Sequence, residues 1–209
     1  MKDSLAALAG ALLIVHCAAA LAASNVDLSV KGSITPSACS PSLSNNGLVD
    51  YGKISIQDLN PTGVTELPET SFRLAVNCEG ASLFALATQD NRASVTGAGA
   101  FFILGLITPT RWVGSYFLSM ENIQLDDPAA YSIYSMDNGK TWLFNPDANV
   151  PTNILLAFGN QSSGVRAPVP IKDVSLDLVV QPYIYPKNQI PVGETIDLDG
   201  SATLELRYL

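Results

Sequence analysis

The amino-acid sequence predicts an all-β fold, a single sandwich of short strands, and three observations support this prediction. Hydrophobic residues make up 47% of the chain and charged residues only 14%, which is typical of a globular protein and not of a disordered one. Beyond the N-terminal segment, no stretch keeps the period of an amphipathic helix. Short apolar stretches instead alternate with turn residues such as Asn45-Asn46-Gly47 and Asn60-Pro61-Thr62-Gly63. Many short strands separated by Gly and Pro favour a β-sandwich.

The N-terminal segment has the features of a secretory signal peptide. Leu5–Ala22 is nearly uncharged and follows a single lysine, and Ala20-Leu21-Ala22 matches the small-residue pattern of a cleavage site. We therefore expect residues 1–22 to be removed and residues 23–209 to form one domain. A permanent membrane anchor is the alternative that the length of the apolar stretch leaves open.

Removal of the signal peptide would leave two cysteines, Cys39 and Cys78, and no histidine, since His16 would be lost. An even number of cysteines in an exported chain predicts a disulfide formed in an oxidising compartment. Two buried free thiols are the alternative. Without histidine, neither a Ser-His-Asp nor a Cys-His constellation can be assembled, and no metal site is predicted.

The predicted strands follow one another along the mature chain. Val26, Leu28 and Val30 alternate with polar residues, which places these three side chains on one face of a first strand. Residues 97–114 fit a strand, a loop or a short helix. Further strands, identified by apolar content between turn residues, are predicted at Leu48–Ile56, Phe72–Cys78, Leu83–Thr88, Tyr116–Met120, Tyr131–Tyr134, Ile154–Phe158, Val174–Val180 and Ala202–Tyr208.

The last predicted strand alternates strictly between apolar and polar residues after Gly200. Thr203, Glu205 and Arg207 lie on one face, and apolar side chains lie on the other. This alternation is typical of a strand that is buried on one side only. The apolar face consists of Ala202, Leu204, Leu206 and Tyr208.

Residues 135–142, Ser-Met-Asp-Asn-Gly-Lys-Thr-Trp, resemble the Asp-box hairpin that is repeated around sialidase propellers. A propeller requires several copies, and this chain has one. We interpret the motif as a structural hairpin, in which the aspartate accepts hydrogen bonds from turn amides and Asn138-Gly139 adopts positive φ angles. A sugar-facing loop is the alternative. The residues assigned to the hairpin are Ser135, Asp137, Gly139, Thr141 and Trp142.

The charge balance excludes one class of partner and argues against catalysis. Lys and Arg number 11 against 19 Asp and Glu, without any basic run, so nucleic acid is not an expected partner. Asp126-Asp127 and Asp197 with Asp199 are pairs of carboxylates of the kind that acid/base catalysis uses. Because each pair lies beside Pro or Gly, we interpret them as solvated turns and expect that the protein is not an enzyme.

Several of these segments together resemble the subunits of chaperone–usher fimbriae. The resemblance rests on the glycine and cysteine of VKGSITPSAC, the segment VDYGKIS, the strand FRLAVNC with the second cysteine, and a final strand with a penultimate tyrosine. LDGSATLELRYL and YSMDNGKTW resemble more particularly a group of uncharacterised fimbria-associated proteins, the domain-of-unknown-function family 1120.

This resemblance implies an incomplete, pilin-type immunoglobulin-like β-sandwich that is completed by a donor strand. A periplasmic pilus chaperone would supply the strand first, and the N-terminal extension of another fimbrial subunit would replace it at the outer-membrane usher. Cys39 and Cys78 would form the family disulfide, and no cofactor is implied. The implied site residues are Gly200, Ala202, Leu204, Leu206 and Tyr208 for the edge strand that the chaperone contacts, and Val26, Leu28 and Val30 for the donor strand.

The predicted function is therefore that of an exported fimbrial subunit, structural or adhesive, displayed on the cell surface, with a host or surface glycan as a candidate ligand. The segment before Gly32 is short for a donor extension and is alternatively the first strand of the subunit itself. A free-standing secreted carbohydrate-binding module is the alternative function. Trp112, Tyr116 and Trp142 would then form an aromatic platform, although bulky rings more often pack in a core.

Overall fold

The structure is a computed structural model that describes residues 38–93, 99–108, 110–191, 193 and 195–209. In these residues, β-strands form two antiparallel sheets packed as a sandwich, so the all-β prediction is confirmed. The signal peptide and the donor candidates Val26, Leu28 and Val30 lie outside the described residues. The strands are β1 Cys39–Leu43, β2 Thr65–Glu66, β3 Thr70–Ser82, β4 Phe84–Asp90, β5 Phe102–Thr108, β6 Arg111–Leu125, β7 Tyr131–Ser135, β8 Leu143–Phe144, β9 Leu155–Ser162, β10 Val165–Pro168, β11 Ile171–Ile184 and β12 Ala202–Tyr208.

The first sheet has the order β1-β3-β11-β6-β5, with β2 also paired to β11. The second has the order β12-β4-β9-β7-β8, with β10 also paired to β9. β3 shows how the sequence builds the core, since Phe72, Leu74 and Val76 are buried while Arg73 and Asn77 are exposed. Side chains from the inner faces of both sheets meet in one hydrophobic cluster. Its buried members include Leu74, Val76, Phe102, Leu118 and Leu176 from the first sheet and Phe84, Leu86, Leu156 and Phe158 from the second.

One predicted strand, Leu48–Ile56, is wrong. A 3-10 turn at Ser44–Gly47 precedes this segment, and a second one follows at Ile56–Asp58. Gly52, within the segment, has a positive φ angle of 61°, which extended strands do not contain. Tyr51, Ile54 and Ile56 are half-buried against the core from an irregular loop, whereas Leu48 is exposed. The Tyr51 hydroxyl helps to hold this loop, because it donates to the carbonyl of Pro68 (2.7 Å). Apolar alternation here reflects packing without strand pairing.

The segment at residues 97–114, which the sequence left open, contributes to a hairpin. β5 pairs antiparallel with the beginning of β6, through a register with several irregularities. Phe102 lies in the core and stacks on Tyr116 at 5.2 Å between ring centroids. The short strands β1, β2, β8 and β10 were not predicted, because strands of two to five residues with mostly exposed side chains have little periodicity.

The predicted disulfide is confirmed, because Cys39 and Cys78 are bonded. The two residues are also register partners in the ladder between β1 and β3. The bond therefore attaches the edge strand β1 to the sheet covalently. Within the described residues, no helix is long and apolar enough to cross a membrane.

Candidate functional site

The edge strand β12 is paired on one side. Its residues pair in unbroken register with β4, from Ala202 opposite Asp90 to Tyr208 opposite Phe84. Among the described residues, no strand pairs with its other side. Leu204 and Leu206 pack against the core but are only half-buried. The core is therefore less well covered at this edge than at the centre of the sheet.

The edge strand of the other sheet, β1, is joined to the end of β12 by one hydrogen bond. The backbone N–H of Cys39 donates to the Tyr208 hydroxyl at 2.8 Å. β1 pairs with β3 on one side, and no described strand pairs with the other. Among the described strands, β1 and β12 are thus each paired with a strand on one side only, and the bond from Cys39 to Tyr208 places them on the same side of the sandwich. A row of unpaired backbone groups is a template for an added strand.

Gly200, predicted to belong to the edge that a chaperone contacts, lies two residues before β12. A Cβ atom at this position would come within 2.8 Å of Cε1 of the Tyr116 ring, so a side chain here would clash. Burial raises the pKa of Tyr116, and the negative charge of Asp90 raises it further. The glycine is therefore explained by close packing over a buried ring.

The Asp-box hairpin joins β7 to β8 and is bonded internally. Ser135 Oγ donates to Asp137 Oδ1 (2.7 Å) and accepts from the backbone N–H of Gly139 (2.8 Å). Thr141 donates to Asp137 twice, from its backbone N–H (2.9 Å) and from its hydroxyl (2.6 Å). Asn138 and Gly139 have φ angles of 59° and 88°. The bond from the Thr141 amide to Asp137 and the two positive φ angles agree with the predicted hairpin, whereas the bonds of Ser135 and of the Thr141 hydroxyl were not predicted.

The hydrogen bonds from Thr141, followed by the one from Ser135, lower the pKa of Asp137 from its usual value to about 2. A carboxylate that accepts several hydrogen bonds is stabilised in its charged form. Asp137 is therefore ionised at neutral pH, and its carboxylate oxygens already accept hydrogen bonds from Ser135 and Thr141 of the same hairpin. This arrangement suits a fixed structural anchor better than an acid or a base in catalysis.

Trp142 packs on the outer face of the second sheet, against a small apolar cluster separate from the main core. This cluster is unusual because it lies on the face turned away from the sandwich interior. Its members come from three neighbouring strands and are covered by Tyr131 and Trp142. They are Ala85, Ala87, Ile133, Leu155 and Ala157.

The structure does not bring the three rings of the expected aromatic platform together. Tyr116 is buried in the core, and Trp142 belongs to the second sheet. Trp112 lies on the first sheet, where it contacts the ring of Phe101 at 6.0 Å between centroids. Phe101 also contacts Phe117, which contacts Tyr183. The sequence analysis missed this group of four rings, because the contact between Phe117 and Tyr183 depends on the pairing of β6 with β11.

Three of the paired aspartates, Asp126, Asp127 and Asp199, make hydrogen bonds or an ion pair. Asp126 accepts from the backbone N–H groups of Lys172 and Asp173 (3.2 Å each), and Asp127 accepts from that of Ala129 (2.9 Å). A salt bridge of 3.0 Å joins Asp199 to the guanidinium of Arg92. Asp127 therefore bonds within its own turn, Asp126 bonds to the beginning of β11, and Asp199 is engaged in an exposed ion pair.

A family described as Protein of unknown function (DUF1120) has a profile that matches residues 28–106. This match includes both cysteines, but neither the hairpin nor the last strand, on which the resemblance to this family also rested. Protein GltF of Escherichia coli K12 is 24% identical over 241 residues, covering 95% of each chain. The Uncharacterized protein YhcF of the same organism is 24% identical over 223 residues, covering 91% of this chain and 93% of its own.

Proposed function

We propose that this protein is an exported fimbrial subunit, structural or adhesive, that accepts a β-strand at the edge formed by β1 and β12. A periplasmic chaperone would supply this strand first, and another subunit would replace it at an outer-membrane usher. The observation that carries the proposal is the seven-residue strand β12, which pairs with β4 alone among the described strands. Its free side offers backbone hydrogen bonds to an incoming strand.

The side chains of β12 support the same proposal. Leu204 and Leu206 point to the core and stay half-buried, whereas their register partners Thr88 and Leu86 in β4 are buried. An added strand beside β12 would bury the remaining apolar surface, and burial contributes about 25 cal/mol for each Å². Strand addition thus supplies both the missing backbone partners and the missing cover of the core.

The disulfide and the predicted signal peptide support export. Disulfides form and persist in oxidising compartments such as the bacterial periplasm. Cys39 lies in β1 and donates its backbone N–H to Tyr208 in β12. The bond between Cys39 and Cys78 therefore holds one of the two edges in place before an added strand arrives.

The proposal is tested by expressing residues 23–209 in a periplasm with and without a candidate chaperone, and by measuring soluble yield and co-purification. We expect solubility to require the chaperone and truncation after Gly200 to abolish the complex. Leu204→Asp should weaken the complex, because it places a charge on the apolar surface of β12 that the added strand would cover. The matched control is Thr203→Asp, on the opposite face of β12, which should leave the complex intact.

A monomer that is soluble without the chaperone and does not co-purify with it would contradict the proposal. Deleting residues 23–31 then tells whether the chain completes its own sandwich. If that deletion makes a stable monomer insoluble, the segment containing Val26, Leu28 and Val30 is an internal strand of the subunit. If the deletion leaves chaperone binding unchanged, the strand comes from another protein.

A further inference from the structure

We propose that a cavity on the outer face of the second sheet binds a neutral sugar ring, a single pyranose unit. The cavity has a volume of about 280 Å³ and lies between the Asp-box hairpin and the outward side chains of β12. This volume is close to the lower limit of small-ligand pockets, about 300 Å³, so the ligand is small. The inference goes beyond strand acceptance and does not depend on it, since the cavity opens on the face away from the core.

The register of four strands creates this cavity. Glu205 of β12 lies opposite Ala87 of β4, Ala87 lies opposite Leu155 of β9, and Leu155 lies opposite Ser135 of β7. Because Ala87 has the shortest side chain in the middle of this row, a depression forms above it. Ala87 and Leu155 make an apolar floor, since both are buried in the outer cluster.

The walls of the cavity carry polar groups on both sides of the floor, with the apolar side chain of Met136 also on the hairpin side. Asn138 stands on one side, in a hairpin held by the bond from Gly139 to Ser135 (2.8 Å). The outward residues of β12 and Gln89 of β4 form the other side. The wall on the hairpin side is therefore rigid before a ligand arrives, which lowers the entropy cost of binding.

The charges and hydrogen-bonding groups select the class of ligand. Glu205 and Arg207 form an ion pair with each other at 2.7 Å, so the two charges of this wall compensate one another. The amides of Gln89 and Asn138 each offer donors and an acceptor. A pyranose presents hydroxyl groups that donate and accept, and a face of C–H groups that fits an apolar floor. A purely apolar ligand would leave the amides unpaired, and an anion would gain no net attraction from a wall whose two charges compensate one another.

The test is an NMR titration of the ¹⁵N-labelled mature chain, alone or with its bound strand donor, whichever form is soluble. The probes are methyl glycosides of glucose, galactose, mannose and N-acetylglucosamine, the corresponding free sugars, and N-acetylneuraminic acid. We expect at least one neutral glycoside to shift the amide signals of Ala87, Asn138 and Glu205. Ala87→Leu fills the depression and should weaken this binding at least tenfold, while Asn138→Gly keeps the turn, removes the amide and should weaken it several-fold.

The matched control is Ala167→Leu, which makes the same change at an exposed position on β10 of the same sheet, outside the cavity. It should leave binding unchanged, and equal melting temperatures for both leucine variants exclude a folding defect as the cause. The proposal is overturned if no neutral sugar shifts these signals, if N-acetylneuraminic acid alone does, or if Ala87→Leu binds as well as the unchanged chain. Binding of free sugars and not of methyl glycosides would assign the site to a soluble sugar, whereas binding of glycosides assigns it to a glycan terminus. Chaperone binding, measured in the same samples, reports separately on the strand-accepting edge.

Discussion

The Asp-box hairpin and the edge formed by β1 and β12 differ in the distance along the chain over which their contacts are made. In the hairpin, Ser135, Asp137 and Thr141 bond to one another within a few residues. At the edge, β12 pairs with β4, more than a hundred residues away, and Tyr208 accepts from Cys39 across 169 positions. The hairpin can form as soon as its own segment turns, but the edge exists only once both sheets have assembled.

This difference has a consequence for function. The hairpin, whose hydrogen bonds are formed within its own segment, is suited to provide a fixed wall of a small-ligand site. A strand with one unpaired side is suited to exchange one partner strand for another. The three predictions below test this contrast between the hairpin and the edge.

The largest effect is expected at the edge, from removal of the disulfide. The double substitution Cys39→Ala/Cys78→Ala frees β1 and should lower the free energy of unfolding by about 4 kcal/mol on the loop-entropy estimate. The measurement is chemical denaturation of the soluble chain, alone or with a bound donor strand. Reduction of the unchanged protein should produce the same loss, and a loss below about 1 kcal/mol in both cases would show that β1 is held by other contacts.

The second prediction compares two register partners, Leu86 in the centre of the sheet and Leu206 at its edge. Leu86 is fully buried, so Leu86→Ala should cost about 2–5 kcal/mol. Leu206 is half-buried, so Leu206→Ala should cost roughly 1–2 kcal/mol, since part of its surface is already in water. Both costs are measured by denaturation.

A bound donor strand should change only one of these costs. It would cover Leu206 and raise the cost of Leu206→Ala towards that of Leu86→Ala. Equal costs of Leu206→Ala with and without the donor would mean that the strand does not cover this side chain, contrary to the proposed function.

The smallest effect is expected in the hairpin and is local. The pKa of Asp137 is lowered from 3.8 to about 2, so the stability that its ionised form contributes is fully present above pH 4 and is lost as the pH falls through about 2. The protection of the Thr141 and Gly139 amides from hydrogen exchange, taken relative to an unstructured peptide at the same pH, should fall across this range. Asp137→Asn should produce fast exchange of both amides at neutral pH while the melting temperature changes little.

Asp147→Asn, at an exposed turn position outside the hairpin, is the control and should leave this exchange unchanged. Protection of the Thr141 amide in Asp137→Asn at neutral pH would show that the hairpin does not depend on the carboxylate.

Prediction from the sequence was accurate where strands are long and alternate or where contacts are local. Phe72–Cys78 was found because its side chains alternate between a packed core and a more exposed face, and Val174–Val180 because buried apolar residues alternate with the half-buried polar residues Ser175 and Asp177. The prediction failed at Leu48–Ile56 because an irregular loop that packs three apolar residues against the core can have the same apolar spacing in sequence as a strand. Short edge strands such as β1 gave no usable signal, because only one side of each is paired and little of it is buried.

The sequence by itself determined the disulfide, the internal hydrogen bonds of the hairpin and the alternation of the last strand. Each of these depends on residue types within a short segment or on the number of cysteines. The tertiary structure alone decided which aromatic rings meet, that Cys39 of β1 bonds to Tyr208 of β12, and that Ala87 falls between Glu205 and Leu155. The physical reason is that strand pairing and register are set by side chains far apart in the chain, which pack only when the two sheets close on a common core.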